Sequence, residues 1–196
     1  MKKTDTRVQY TKKVLQNALL EILKNKKIDR VTVKEICEKA QINRGTFYLH
    51  YSTPNDLLYE IENTFMEGHN LLFNEYMFGA SHDKRSESIN KLQLLFQTIL
   101  ENMELCQVIF GPNGDYRFNE RIKKDLKPEI IEHWSVEFPE YKKEHLEYIF
   151  DYVYNGSMSL ILNWMNDENK NETVEQLANR LDRLGHYCHL AIKEFI

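Results

Sequence analysis

The sequence is poor in the residues that interrupt helices. Its 196 residues include only 7 glycines and 4 prolines, and no strand-like alternation of apolar and polar residues persists along it. Apolar residues recur instead at the spacing of amphipathic helices, and a hydrophobic content of 42% is enough for a packed core. These features predict an all-α protein.

The sequence also lacks the patterns of disulfide-rich, membrane-spanning and secreted proteins. Its 3 cysteines are odd in number and far apart, which argues against a disulfide framework. No stretch approaches the roughly 18 uncharged apolar residues of a membrane-spanning helix, and the basic N-terminus lacks the apolar segment of a signal peptide. We therefore expect a soluble, cytoplasmic protein with no membrane partner.

Charge is distributed unevenly along the chain, although the net charge is only −4. Residues 1–52 contain 12 lysines and arginines against 5 acidic residues, whereas residues 53–196 contain 14 against 25. Lysine-rich helix faces are most often simply solvated. Here the basic part coincides with the motif described next, and a basic module on an acidic body suits a partner rich in phosphate.

The most informative pattern is a helix-turn-helix motif over residues 32–51. Thr32 is suited to N-cap a first helix, and Glu35 three residues later completes a capping box. Asn43 is suited to cap a short second helix in which Phe47 faces inward. The buried stripe of the first helix has helical spacing and consists of Val33, Ile36, Cys37 and Ala40. The free face of the second helix is polar, as a DNA groove requires.

The outward-facing side chains of this motif have the chemistry of DNA contacts. Arg44 carries a planar fork that suits guanine or phosphate, and Lys34 can reach the same groove. Gly45 permits a close backbone approach. Packing or capping inside the small head is the alternative role for Tyr48 and His50. Hydroxyl groups suited to phosphate oxygens belong to Thr32, Thr46, Tyr48 and Thr53.

These residues resemble the DNA-binding pattern of the TetR/AcrR family of bacterial transcriptional regulators. The resemblance covers about the first quarter to third of the chain, and it is carried by Thr11, Val14, Leu15, Ala18, Thr32, Val33, Ile36, Cys37, Ala40, Ile42, Asn43, Gly45, Thr46, Tyr48, His50, Tyr51 and Leu57. It implies a three-helix DNA-binding head at residues 1–53, followed at residues 54–196 by a larger helical-bundle domain for effector binding and dimerisation. The positions expected to contact DNA are Thr32, Lys34, Asn43, Arg44, Gly45, Thr46, Tyr48, Leu49, His50 and Thr53.

Two positions depart from the family pattern. Gln41 stands where the family usually has the turn glycine, so a non-glycine residue must adopt a left-handed conformation at a cost of about 1–2 kcal/mol. Pro54 stands where a lysine commonly meets phosphate. Both departures favour an alternative function, in which a TetR-like helical protein acts as a coactivator through a partner protein with weak or no operator binding.

The rest of the chain is predicted to form further helices. The first spans roughly residues 8–24, and another begins after the N-cap Thr53 and reaches about Phe78. A loop at 79–86 precedes a helix through Ile89–Leu100, and the sequence GPNGD at 111–115 is the clearest helix breaker. The later helices are expected near 116–136, with a kink or split at Pro128, near 140–166, with burial on more than one side, and at 174–192.

The predicted body offers candidate ligand and dimer residues. Aromatic side chains could line a ligand pocket, although each singly is more often ordinary core; the candidate set is Phe65, His69, Phe73, Phe96, Trp134 and Tyr152. Small residues that allow close helix approach and an apolar seam in the last helix suggest a four-helix interface between two copies. Its candidate residues are Gly156, Ser157, Leu160, Trp164, Leu177, Leu181, Leu184 and Cys188.

Patterns of catalysis and metal binding are weak. No zincin, P-loop, Rossmann or nucleophile-elbow pattern occurs, so we expect neither an enzyme nor a cofactor. His186 and His189 share a helix face but not with Cys188, which argues against a metal site. The sequence therefore predicts a sequence-specific, ligand-responsive homodimeric repressor. Its partners would be a palindromic double-stranded DNA operator, a second copy of itself and an unknown small-molecule effector.

Overall fold

The computed structural model describes residues 3–78, 85–168 and 171–192, and within these ranges the secondary structure is helical, with no strands. The all-α prediction is confirmed. A 3₁₀ turn at Ile28–Arg30 follows the first helix. The helices are α1 (Lys3–Leu23), α2 (Val33–Ala40), α3 (Arg44–Tyr48), α4 (Pro54–Phe78), α5 (Arg85–Glu101), α6 (Met103–Ile109), α7 (Arg117–Glu137), α8 (Lys143–Met165) and α9 (Val174–Ile192).

The chain divides into two compact units. The first unit comprises the chain up to Gly68 together with Glu104–Phe118, and the second comprises His69–Met103 and the chain from Asn119 onward. The predicted boundary between a DNA-binding domain ending at residue 53 and an effector-binding domain starting at residue 54 concerns function, and it stays a prediction. Helix α4 is shared, because its residues up to Gly68 belong to the first unit and its later residues to the second.

The core of the first unit is built around one fully buried aromatic ring. Phe47 of α3 has no exposed surface, as its inward position in the sequence predicted. Its ring lies 5.7 Å from the buried ring of Tyr51. Helices α1, α2 and α4 of the same unit contribute further buried side chains: Leu15, Leu19, Leu23, Ile36, Leu57 and Leu58. Packing in this core orients the short helix α3, which is too short to be stable by itself.

The GPNGD segment packs within the first unit and ends α6. The Ile28 N–H donates to the Asn113 carbonyl at 2.9 Å, so the 3₁₀ turn is fixed by this segment. Gly114 has no room for a side chain, because a Cβ there would lie 2.6 Å from the Ile109 carbonyl oxygen. Phe110 contacts the ring of Phe65 of α4 at a centroid distance of 5.9 Å. Residues far from the head in sequence therefore belong to its packing unit.

Two expectations concern the later helices. Helix α7 is not split at Pro128 but runs as one helix from Arg117 to Glu137, and a kink at Pro128 stays a prediction. Pro128 lies on the exposed side of α7, where water can satisfy the carbonyl that loses its N–H partner. Helix α8 leaves one side exposed within a protomer, where Tyr148 is 75% and Tyr152 is 72% exposed, so its burial on more than one side stays a prediction about the assembly.

The second unit places α9 against both α5 and α8. The packed side of α8 carries Leu146, Phe150, Tyr154, Ile161 and Met165. These buried residues lie along one face of α8. In the part of the chain that the structure describes, every helix is too short or too polar to cross a membrane.

Candidate nucleic-acid interface

The N-terminus of α2 has the capping box that the sequence predicts. The Thr32 hydroxyl oxygen accepts from the Glu35 N–H at 3.3 Å, and the Glu35 carboxylate accepts from the Thr32 N–H at 3.0 Å. The Lys26 ammonium group lies 2.5 Å from the other Glu35 oxygen. Hydrogen bonding to Lys26, and then to Thr32, lowers the pKa of Glu35 to about 2. The start of α2 is therefore held by an ionised carboxylate at neutral pH.

The turn between α2 and α3 has the left-handed residue that the sequence predicts. Gln41 has φ 56° and ψ 37°, and it is the one described non-glycine residue with positive φ. Its N–H donates to the Glu38 carbonyl at 3.4 Å, and the Ile42 N–H donates to the Cys37 carbonyl at 3.0 Å. This pair of bonds is a Schellman motif, which ends a helix at a left-handed residue. The turn therefore keeps its geometry without glycine.

Helix α3 begins at a second side-chain cap. The Asn43 side-chain oxygen accepts from the Gly45 N–H at 2.7 Å, and the Asn43 carbonyl accepts from the Thr46 N–H at 2.9 Å. Asn43 therefore acts as the N-cap of α3. The helix is 5 residues long, so its orientation depends on this cap and on the Phe47 anchor.

The free face of α3 is strongly exposed. Tyr48 is 59% and Leu49 is 80% exposed, and Arg44 and Gly45 are exposed as well. These residues are one turn apart or adjacent, so they form one outward row. Thr46 and His50 are half-buried. The row combines a guanidinium group, a bare backbone, a phenol and an aliphatic side chain on a surface that a major groove can accommodate.

Three other predicted contact residues flank α3 in the same unit. Lys34 is exposed on α2, and its ammonium group lies 3.8 Å from the Glu38 carboxylate. Thr32 is exposed, and its hydroxyl belongs to the capping box. Thr53 is exposed and caps α4, because its hydroxyl oxygen accepts from the Asp56 N–H at 3.2 Å. All ten predicted DNA-contact positions thus belong to the first unit.

Sequence reasoning missed the network that holds this unit together behind α3. Glu60 of α4 accepts from the Tyr51 hydroxyl at 3.0 Å and from the Lys12 ammonium group at 2.8 Å. The Gln16 amide also donates to Glu60, at 3.2 Å. Burial, followed by the bond to Glu60, raises the pKa of Tyr51. Glu60 therefore joins α1, α4 and the end of the motif. Its partners on α1, Lys12 and Gln16, are 48 and 44 positions away and give no sequence signal of this.

The predicted ligand residues are divided between the two units. Phe65 is buried in the first unit, whereas Phe96, Trp134 and Tyr152 belong to the second. Phe96 contacts the ring of Trp164 at 6.1 Å, and Trp134 contacts that of Phe150 at 6.4 Å. Tyr152 faces solvent. The side chains of His69 and Phe73 lie outside the described residues.

The predicted dimer residues differ in their solvent exposure. Leu177 and Leu181 are 1% and 4% exposed inside the second unit, so a second copy cannot reach them. The Trp164 indole N–H donates to the Glu172 carbonyl at 2.9 Å. Gly156 and Leu184 are exposed, whereas half-buried positions are Ser157, Leu160, Trp164 and Cys188. The exposed tyrosines Tyr148, Tyr152 and Tyr187 were not among the predicted interface residues.

Metal binding has no support among the described side chains. No group of three or more His, Cys, Asp or Glu residues in the described ranges is placed to hold a metal ion. The side chains of His186 and His189 lie outside those ranges.

A capped helix, a left-handed turn and a short exposed helix on a basic head define a helix-turn-helix transcriptional regulator. Residues 17–61 match the family model described as bacterial regulatory proteins, tetR family. Residues 86–187, about half of the chain, match the model described as transcriptional regulator C-terminal region. The chain belongs to the TetR family of bacterial regulatory proteins.

Individual relatives are similar over different lengths. YxbF, an uncharacterized HTH-type transcriptional regulator of Bacillus subtilis, is 37% identical over 54 residues, which cover 28% of this chain but 14% of that protein. A TetR transcriptional regulator from Streptococcus agalactiae has a TM-score of 0.62 at 19% identity, covering 93% of this chain and 97% of that one. The dihydroxyacetone kinase operon activator DhaS has a TM-score of 0.52 at 20% identity, covering 93% and 96%. The likeness to these two structures concerns the fold.

Proposed function

We propose that this TetR-family regulator is a homodimeric repressor that binds a palindromic operator through α3 and releases it when a small molecule binds. The observation that carries the DNA part is the exposed row of α3, with Arg44 and Tyr48, on the basic head. The alternative, a coactivator with weak or no operator binding, was favoured by Gln41 and Pro54. Gln41 adopts the conformation of a turn glycine, which supports operator binding, whereas Pro54 still stands in place of the usual lysine.

Selection of bound duplexes from a random library at physiological salt tests operator binding. We expect one enriched, roughly palindromic sequence, whose log affinity falls with log salt by about 0.9 per phosphate neutralised. Arg44→Ala should lower affinity by about 1–3 kcal/mol and relax base preference at one position. Tyr48→Ala should weaken binding on all sequences alike.

Matched controls separate these effects from changes in charge or folding. Lys124→Ala removes one positive charge from an exposed site in the second unit, and Tyr116→Ala removes an exposed tyrosine elsewhere in the first. Both should bind the selected operator like the wild-type protein. If Arg44→Ala and Tyr48→Ala also bind it normally, α3 is not the recognition element. If no sequence is enriched, the coactivator hypothesis replaces operator binding.

The dimer is proposed because one 5-residue recognition helix contacts too few base pairs to select a single operator in a genome. A two-fold pair can place two such helices about 34–36 Å apart, in successive major grooves. Support comes from the exposed face of α8, where Tyr148, Tyr152 and Gly156 recur every fourth residue, and from Leu184 and Tyr187 of α9, 46% and 65% exposed. These residues replace the buried Leu177 and Leu181 of the sequence-based interface.

Sedimentation velocity at micromolar concentration tests this assembly. Tyr152→Arg or Leu184→Glu should convert the dimer to a folded monomer. Leu94→Glu, at a leucine of comparable exposure on α5, is the control and should leave the dimer intact. A stable wild-type monomer would contradict the proposal.

The effector response is proposed to act through α4. This helix starts after the recognition motif and continues into the second unit as one element, so a ligand among aromatic residues such as Phe96 and Trp134 has a physical route to the head. Coupling between two such sites is typically about 1–3 kcal/mol. Ligands found by thermal-shift screening should weaken operator binding by a corresponding factor. Ligand-bound and free structures with identical head separation would refute this route.

A further inference from the structure

One exposed side chain in the head is neither buried in the core nor able to bind phosphate through a polar group. Leu49 is 80% exposed, and it is the one aliphatic residue among the large, exposed hydrophobic side chains described for α1 to α4. The others are tyrosines, whose hydroxyls can contact water or phosphate: Tyr10, Tyr48 and Tyr59. A leucine can offer only apolar contact. Its exposure on the recognition element therefore points to a partner with an apolar group at that place.

The backbone places Leu49 in the outward row of α3. Its φ of −71° and ψ of −19° continue the helical conformation, so Leu49 lies one turn after Gly45 on the same face. Helical side chains lean over the preceding turn, and Gly45 has no side chain to occupy that space. Leu49 and the bare backbone of Gly45 thus form a small apolar surface beside Arg44 and Tyr48.

We propose that Leu49 is a specificity-determining residue that contacts the C5-methyl group of a thymine in the major groove. This inference rests on the proposed operator binding. Among the four base-pair orientations, the thymine methyl is the apolar group presented in the major groove, and aliphatic side chains recognise it by contact. Arg44 suits guanine or phosphate, so Leu49 supplies a second, chemically different reading of the same half-site.

Replacement of thymine by deoxyuridine tests the assignment directly, because it removes the methyl group and keeps every base-pairing atom. Each thymine of the selected operator is replaced singly in both half-sites, and affinity is measured by fluorescence anisotropy. The wild-type protein should bind about fourfold more weakly per half-site at one thymine position, the factor expected for one methyl-sized apolar group. Leu49→Ala should bind the thymine operator more weakly and no longer distinguish thymine from deoxyuridine there. Its salt dependence should be unchanged, since no phosphate contact is lost.

Two controls isolate the contact. Tyr48→Ala should lose affinity for both operators and keep the preference for thymine, and Leu94→Ala, the same change on α5, should behave as the wild type. A wild-type protein insensitive to every thymine replacement, a selected half-site without thymine, or a Leu49→Ala variant that keeps the preference would each overturn the inference and leave operator binding intact. Failure to select any operator would instead overturn the proposed function, and with it this inference.

Discussion

Replacement of Gln41 by glycine should stabilise the helix-turn-helix motif. Gln41 holds φ at 56°, a region in which a Cβ costs about 1–2 kcal/mol. Glycine removes this cost but loses about 0.5–1 kcal/mol through its greater freedom in the unfolded chain. The net gain should be about 0.5–1 kcal/mol, since the exposed Gln41 side chain contributes no burial.

Amide hydrogen exchange at Ile42 measures this gain where it arises. The Ile42 N–H donates to the Cys37 carbonyl across the turn, so its exchange reports local opening of the motif. A stabilisation of this size slows exchange about two- to fivefold, because each 1.4 kcal/mol is a factor of about 10. Native-state exchange on the full chain is suitable because it resolves one unit from the other.

Gln41→Ala is the matched control, because it removes the amide group but keeps the Cβ. It should exchange no more slowly than the wild-type protein. The strain argument would fail if Gln41→Gly exchanged at the wild-type rate or faster. It would also fail if the alanine variant were protected as strongly as the glycine variant, since the gain would then come from the lost side chain.

Three further perturbations test the packing of the first unit and the acid response. Glu60→Ala should lower the free energy of unfolding by about 1–3 kcal/mol, because the Tyr51 hydroxyl loses its acceptor; in urea denaturation, Glu60→Gln should lose less. The pKa of Glu35 is lowered to about 2 from 4.5, so its contribution is complete above pH 4.5 and disappears as pH falls towards 2. Circular dichroism across this window should show a smaller acid loss for Glu35→Gln. Gly114→Ala should lower the melting temperature, because a Cβ would lie 2.6 Å from a carbonyl oxygen, whereas Gly185→Ala, with no atom within 4 Å, should gain about 0.5–1 kcal/mol.

Several features of the motif were predictable because their causes are local. The two caps depend on side chains that reach backbone groups two or three residues away, as Thr32 and Asn43 do. The left-handed conformation of Gln41 was predictable because the motif needs a positive φ at this position. Phe47 was identified as the anchor from its place in a five-residue helix. Each of these interactions is encoded within a few positions of sequence.

The sequence by itself determined the helical class, the family, and the caps and turn of the helix-turn-helix motif, but it placed Thr46 and His50 on the outward face, where the structure exposes Leu49 instead. Tertiary structure decided which residues of α8 and α9 are buried. The apolar pattern of α9 placed Leu181 in the predicted dimer interface, but packing places Leu181 in the core and leaves Leu184 exposed. It also decided that Glu60 joins three parts of the head, and that Glu104–Phe118 packs with the first unit. The physical reason is that periodicity shows which residues are apolar, whereas burial depends on which other segments cover them, and those contacts join residues far apart in the chain.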